Sequence, residues 1–374
     1  MDKFTQTQKG GDNSNQIQAG TVVVNNNIGI TEERAREIFS SEITRKMDVL
    51  AVEARDIATA RMLDLFSDLI SRVKKCEKDL SSFSDPAFLQ NVRIAQDAAA
   101  VSERKEDIET LAELLVARMS GKLKRATKTG IRKAMEIVPE LEADELTALT
   151  ALLFYNRFNL NNKFGTGVES YLAGLDESFR KMLRFNLPEG HKWLIHLVVL
   201  DAVAVDATSR FVPVGEYYSK DIDGMICAGI DVNSKEYAAS VQLLNACGLS
   251  QNLLVPNELI SGFVRLPFVR LHDFSIPITI QDGQDIQRMG TINVTGNQRQ
   301  GLEKVIKLYR KDTELLKRVK AEFAKRFSQY DALKKFKDWL EDIRHGFELT
   351  SVGEALGYVN ARRCIPDLPA IELE

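Results

Sequence analysis

The sequence has few of the residues that mark a covalently stapled or metal-held scaffold. Its 374 residues include four cysteines, and no two of them form a CxxC pair. A structural zinc site and a dense disulfide framework are therefore not expected, and free thiols suit a reducing compartment. Nine prolines and 22 glycines also argue against a long disordered segment in the body of the chain.

Long hydrophobic runs are absent as well. The most apolar stretch, residues 193–205, contains His196 and Asp201, and it is too short and too polar to span a bilayer. The N-terminus has no positively charged region followed by an apolar core, so we expect no secretion signal. These absences predict a cytoplasmic protein without a membrane span.

Charge of one sign is not in excess. The formal net charge is −3, from 50 basic and 53 acidic residues, so composition gives no reason to expect general affinity for nucleic acid or acidic membranes. The sequence also has no P-loop, no GxGxxG fingerprint and no HExxH motif. We predict no cofactor.

Catalytic signals are equally sparse. None of the histidines has a metal-ligand spacing or a nucleophile beside it in sequence (His191, His196, His272 and His345). His196 lies in an apolar run and is interpreted as a core histidine. Asp221 and Asp223 could bind a divalent cation, but carboxylates in turns are commoner than ligands. We predict no catalytic residue and no metal ligand. The sequence does not decide whether the protein is an enzyme, and it favours a protein that is not one.

The first 30 residues differ from the rest of the chain, because they contain few charges and many Gln, Asn, Gly and Thr residues. Val22, Val23 and Val24 favour a β conformation, and Asn25–Asn27 can form side-chain ladders when identical chains stack. Gly20 permits a bend without a Cβ penalty. The segment predicts a β-assembly head, with a disordered tail or a strand of the protein's own sheet as alternatives.

This head resembles the amyloid signalling motifs of cell-death adaptors, among them the RIP homotypic interaction motif. The core of that motif is Ile/Val-Gln-x-Gly followed by asparagine-rich and apolar residues, and Ile17, Gln18 and Gly20 match it. Ala19 stands where a larger aliphatic residue is usual, and the asparagines come later than in the animal motif. The resemblance implies assembly with identical chains, or with a partner that contains a matching β motif.

A second resemblance covers most of the chain. The head, the stretch "LVARM…IRKAMEIVPEL" and the C-terminal "LTSVGEALG" are similar to an uncharacterised bacterial family associated with phage-defence neighbourhoods. That resemblance implies a setting in antiviral defence, and it brings no established activity.

After Thr31 the pattern changes to that of a long helix. Apolar residues recur in steps of three and four from Phe39 to Leu80, which places one stripe along one helix face. An unbroken helix of this length would be about 75 Å long. We expect it to lie against several shorter helices or to pair with another chain.

The chain as a whole predicts a mainly α-helical fold in four parts. These are the β-assembly head (1–30), a helical bundle (31–185), a mixed α/β middle region with a small sheet (186–298), and a long basic helix with a wing-like C-terminal segment (299–374). The sheet is predicted from "FSIPITIQD" and "GTINVTG", with Pro277 at an edge. A single helical run is read over residues 299–327.

Two basic features keep a nucleic-acid-binding alternative open. Four residues of a run without acids fall near one helix face and could contact phosphates: Arg118, Lys122, Arg125 and Arg132. Lys128, in the same run, is a further candidate for such a contact. "FELTSVGEALG" resembles the wing and last helix of winged-helix domains, in which a Leu-Thr-x-x-Gly stretch closes the wing and caps the helix that follows. Leu349, Thr350 and Gly353 match that stretch, and we expect Thr350 to cap a short final helix. A solvated face paired with acidic neighbours is the competing interpretation of the run.

We therefore predict an interaction protein of bacterial antiviral defence that forms homo-oligomers or recruits a partner through its head. The predicted assembly residues are Ile17, Gln18, Gly20, Val22, Val23, Val24, Asn25, Asn26 and Asn27.

Overall fold

The computed structural model describes residues 32–75, 80–119, 123–157, 167–183, 186–206, 208, 210–282, 286–343 and 346–368. Over these ranges the protein is mainly α-helical, as the sequence predicts. The helices are α1 (Glu32–Lys75), α2 (Pro86–Val101), α3 (Lys105–Arg118), α4 (Arg125–Ile137), α5 (Ala143–Arg157), α6 (Val168–Met182), α7 (Lys192–Val199), α8 (Val214–Asp221), α9 (Lys235–Ala246), α10 (Gly296–Lys307), α11 (Thr313–Phe327), α12 (Asp331–Asp342) and α13 (Ser351–Cys364). No helix in this part of the chain is both long enough and apolar enough to cross a membrane.

Seven short strands form three small antiparallel sheets within the described ranges. The strands are β1 (Val203–Asp206), β2 (Ile230–Asp231), β3 (Val255–Pro256), β4 (Phe263–Arg265), β5 (Ser275–Asp282), β6 (Ile286–Asn293) and β7 (Gly346–Leu349). Their order is β1-β7, β2-β4-β3 and β5-β6. The sheet predicted from two sequence stretches is thus present: β5 and β6 pair from Ser275↔Asn293 to Asp282↔Ile286.

The chain divides into two compact units, residues 1–57 and 58–374. The described part of the first unit is the helix from Glu32 to Ile57. The second unit contains a large core to which α1 contributes Leu65, Leu69 and Val73, all at most 2% exposed. This core also takes in side chains of α2 to α6, α11, α12 and α13.

Helix α13 lies inside the large core, and every residue from Val352 to Ala361 except Glu354 is buried. Thr350 caps the helix, as predicted, by accepting the backbone N–H groups of Val352 and Gly353 at 3.2 and 3.3 Å. The cap is also tied to the residue before β1, because the Thr350 N–H donates to the Ala202 carbonyl at 3.1 Å. The wing-like stretch therefore has a structural role in the bundle.

A smaller core joins the three-stranded sheet to α9 and α10 and contains Ile230, Leu244, Phe268, Leu302 and Val305. Two buried polar side chains satisfy its backbone. Asn257 donates to the carbonyls of Cys227 and Ala228 at 2.7 and 3.0 Å, and the Tyr309 hydroxyl accepts from the Leu266 N–H at 2.7 Å. These side chains satisfy backbone groups that strands this short cannot pair with each other.

The helical run read over residues 299–327 is wrong in one respect, since it is two helices. Helix α10 ends at Lys307 and α11 begins at Thr313. The Asp312 carboxylate accepts the Leu315 N–H at 2.9 Å and caps α11, which fixes the break. The helical spacing of apolar residues continues across the break, so periodicity alone did not reveal it.

Candidate assembly surface

The first unit exposes an apolar face on α1 between residues 43 and 57. Met47, Leu50 and Ile57 are 64%, 60% and 53% exposed, and Ile43 is also exposed. Together with Ala54 they are spaced by three and four residues, so they lie on one side of the helix. We call these five residues the apolar stripe of α1.

Leaving such side chains in water is unfavourable. Complete burial of one Leu, Ile or Met side chain contributes roughly 1.5–3 kcal/mol relative to exposure. Four large side chains in one row form a contiguous apolar patch of the kind that marks interaction sites. Val49 and Val52 are also exposed, but they lie away from the stripe and form a pair of smaller side chains rather than a row of four large ones.

The same periodicity continues in the second unit with a different result. Leu65, Leu69 and Val73 follow the stripe in sequence and are buried in the large core. Polar contacts hold this part of α1 as well: Arg61 donates to the Ala100 carbonyl at 3.2 Å, and Arg72 pairs with Asp68 and Glu113. The expectation that the long helix packs on shorter helices is therefore confirmed for this segment. Pairing with another chain stays a prediction.

The predicted β-assembly residues, Ile17, Gln18, Gly20, Val22 to Val24 and Asn25 to Asn27, lie outside the described residues. Their role stays a prediction from sequence. The apolar stripe begins 16 residues after Asn27, and sequence reasoning had included its members in one long stripe without separating exposed from buried members.

The basic run is distributed over two helices. Arg118 ends α3, Lys122 lies outside the described residues, and Arg125, Lys128 and Arg132 belong to α4. The opposite side of α4 is in the core through Thr127, Gly130, Ile131, Ala134 and Met135. Arg132 pairs with Glu136, and neighbouring Lys133 pairs with Asp201 at 2.6 Å. Part of the positive charge is therefore neutralised within the protein.

The histidine interpreted as a core residue is instead partly exposed. The His196 side chain is 39% exposed, and its Nδ1 lies 2.8 Å from Oε1 of the buried Glu145. The carboxylate also accepts the Glu142 N–H at 3.1 Å, so it caps the first turn of α5. The pair holds α7 against α5.

The two aspartates considered as cation ligands have protein partners. Asp221 pairs with Arg270, and Asp223 accepts the Leu271 N–H at 2.8 Å. Across the part of the chain that the structure describes, no three His, Cys, Asp or Glu side chains form a group that would hold a metal ion. The carboxylates instead fix the turn that follows α8.

A cavity of about 100 Å³ lies between α3, α5, α6 and α13. Two arginines line it, and each has an acidic partner: Arg104 pairs with Asp107 at 2.8 Å and Arg363 with Glu109 at 3.1 Å. Burial raises the pKa of Asp107 above its ordinary value, and the Arg104 guanidinium opposes that rise. The cavity is smaller than typical ligand sites, which are roughly 300–1,000 Å³.

The fold and the apolar stripe define a mainly α-helical protein with an exposed apolar face on α1. A family model with the description ":-like" matches residues 29–373, so the chain belongs to this uncharacterised family. No curated protein and no solved structure matches the chain.

Proposed function

We propose that the protein is a self-assembling interaction protein whose assembling part is its N-terminal region. The observation that carries the proposal is the apolar stripe of α1, which leaves Ile43, Met47, Leu50 and Ile57 in water. The head predicted from residues 17–27 precedes this stripe in the chain. Stacked valines and asparagine ladders in the head would bring copies together, and the apolar stripe would provide a second contact between copies.

The setting we propose is bacterial antiviral defence. Its support is the resemblance of the head and of two later stretches to a family associated with phage-defence neighbourhoods. In that setting the partner is a second copy of the chain or a protein with a matching β motif.

The test is the particle mass of the full-length protein by light scattering, next to a version that lacks residues 1–30. We expect a particle larger than one chain that shrinks on truncation. Val23→Asp should have the same effect, because stacking would repeat the unpaired charge at every layer, whereas Val23→Ala should be tolerated. A full-length protein that is monomeric at every concentration would exclude the proposal.

The stripe has its own matched pair of variants. Leu50→Asp places a charge in the stripe, and Val52→Asp places the same charge at another apolar and similarly exposed position, on the other side of the helix. We expect Leu50→Asp to reduce the particle mass and Val52→Asp to leave it unchanged. If both variants reduced the particle mass equally, the reduction would be caused by an added charge anywhere on the helix and not by the stripe.

Nucleic-acid binding is the second candidate. It is favoured by the spacing of Arg125, Lys128 and Arg132, which lie at i, i+3 and i+7 on the side of α4 away from the core. This function predicts retention on a phosphate matrix with a steep salt dependence, weakened by Arg125→Glu and Lys128→Glu. If the protein passed through the phosphate matrix without retention at low salt, nucleic-acid binding by this surface would be excluded.

A further inference from the structure

The apolar stripe of α1 has the spacing of a coiled-coil seam. Ile43, Leu50 and Ile57 are seven residues apart, and Met47 and Ala54 lie between them, so the steps alternate between four and three. This is the a/d pattern of two helices that wind around each other. On the proposed function, which this inference assumes, the occupant of the seam is a helix of the same kind.

The residues that flank the seam differ between its two sides. Thr44 and Ala51 lie on one side at the e positions, and Lys46 and Glu53 lie on the other at the g positions. All four are exposed. One flank is therefore small and nearly apolar, and the other has one charge of each sign.

These flanks discriminate between the two possible directions of pairing. In a parallel pair each g position faces an e position of the other helix, which would place Lys46 beside an alanine and leave both charges without a partner. In an antiparallel pair the g positions face each other and the e positions face each other. The charged flanks then meet with opposite signs, and the small flanks permit close approach.

We propose that residues 40–57 of α1 pair antiparallel with the same segment of a second copy of this chain. In the matching register Met47 packs against Leu50 of the partner subunit, and Ile43 against Ala54 of the partner subunit. Lys46 then meets Glu53 of the partner subunit. The two-fold symmetry repeats each of these contacts, so the interface contains two such ion pairs.

The length of the paired segment limits its strength. Eighteen residues make a contact about 27 Å long, which corresponds to roughly two and a half heptads. The pair is therefore reversible and depends on concentration. Its orientation also determines geometry, because two Ser41 residues would be about 22 Å apart along the helix axis while two Asp48 residues would be nearly level.

Charge exchange tests the pairing in the full-length protein. Lys46→Glu and Glu53→Lys each turn two attractions into two repulsions, and we expect each to raise the dimer dissociation constant about tenfold. The double variant restores opposite charges across the interface and should return to the wild-type value. Asp56→Lys is the matched control, since it makes the same change as Glu53→Lys at an exposed position off the seam. Circular dichroism checks that each variant keeps its helix content.

Sedimentation equilibrium on these variants, with and without Val23→Asp, separates the two proposals. Weakening by both single variants and recovery in the double variant would support the antiparallel pair. Equal association of all variants, or a double variant as weak as the singles, would overturn it. An assembly that responds to Val23→Asp and not to charge exchange would retain the proposed function without this pairing. If the wild type and all variants were monomeric, both the antiparallel pair and the proposed function would be excluded.

Discussion

The carboxylate of Asp176 on α6 caps a different helix, because its Oδ1 accepts the backbone N–H of Ala332 on α12 at 2.9 Å. The same oxygen accepts the Leu333 N–H at 3.3 Å. Tyr330, the residue at the N-cap position of α12, makes no side-chain cap. Asp176 therefore acts as the hydrogen-bond acceptor for the first turn of α12, which has no side-chain cap of its own, and this contact joins α6 to α12.

Asp176→Ala should therefore destabilise the second unit. The side chain is 3% exposed, and its loss leaves two N–H groups without an acceptor in a buried place. We expect a decrease of about 1–3 kcal/mol in the free energy of unfolding, measured by urea denaturation followed by circular dichroism. Glu177→Ala is the control, because that carboxylate is exposed and pairs with Lys181 on the surface. Equal stability of the two variants would contradict the capping role.

Stability at alkaline pH should depend on five tyrosines that are buried or partly buried in the two cores. Burial raises the pKa of Tyr155, Tyr171, Tyr217, Tyr218 and Tyr309, in the case of Tyr217 to about 12. Above pH 10 the unfolded chain loses these protons and the folded chain retains them. The folded state then binds more protons, so the free energy of unfolding decreases as the pH rises.

The expected result is a stability that is flat for these groups below pH 9 and falls above pH 10 by about 1.4 kcal/mol per pH unit for each tyrosine that ionises on unfolding. Ultraviolet absorbance of tyrosinate should rise together with the loss of helical circular dichroism. Ionisation of most of the eight tyrosines while the helices remain intact would show that these side chains are accessible.

Features with a local cause could be predicted from the sequence alone. The mainly helical fold, the Thr350 cap and the pairing stretches β5 and β6 all follow from spacing, capping chemistry and alternation within a few residues. The different environments along α1 were not predictable, because Leu50 and Leu65 have the same periodic context. What distinguishes them is tertiary: Leu65 meets the large core, and Leu50 lies in a segment without such neighbours.

Partners supplied from distant parts of the chain explain the other differences. His196 has an apolar sequence context, yet its ring is partly exposed and contacts the buried carboxylate of Glu145, and no local pattern indicates that pairing. The break between α10 and α11 did have a local signal in Asp312, a preferred cap residue. It was hidden by apolar residues that continue at helical spacing on both sides. Lys46 and Glu53 could be assigned to the flanks of a seam only after the structure had shown which apolar residues of α1 are exposed.

Gly353 is the position at which the close approach of α13 to β1 can be tested. A Cβ atom on this residue would lie 2.1 Å from the Ala202 carbonyl oxygen, which is backbone and also accepts the Thr350 N–H. Gly353→Ala therefore has to displace either the helix or the strand that pairs with β7, and we expect a loss of about 1–3 kcal/mol in the free energy of unfolding. Gly296→Ala is the matched control, because nothing lies within 4 Å of a Cβ placed there and alanine is favoured over glycine in a helix. Urea denaturation of both variants checks the prediction. If Gly353→Ala matched the wild type, α13 would have room to move away from β1, and the tight cap at Thr350 would not constrain the end of the bundle.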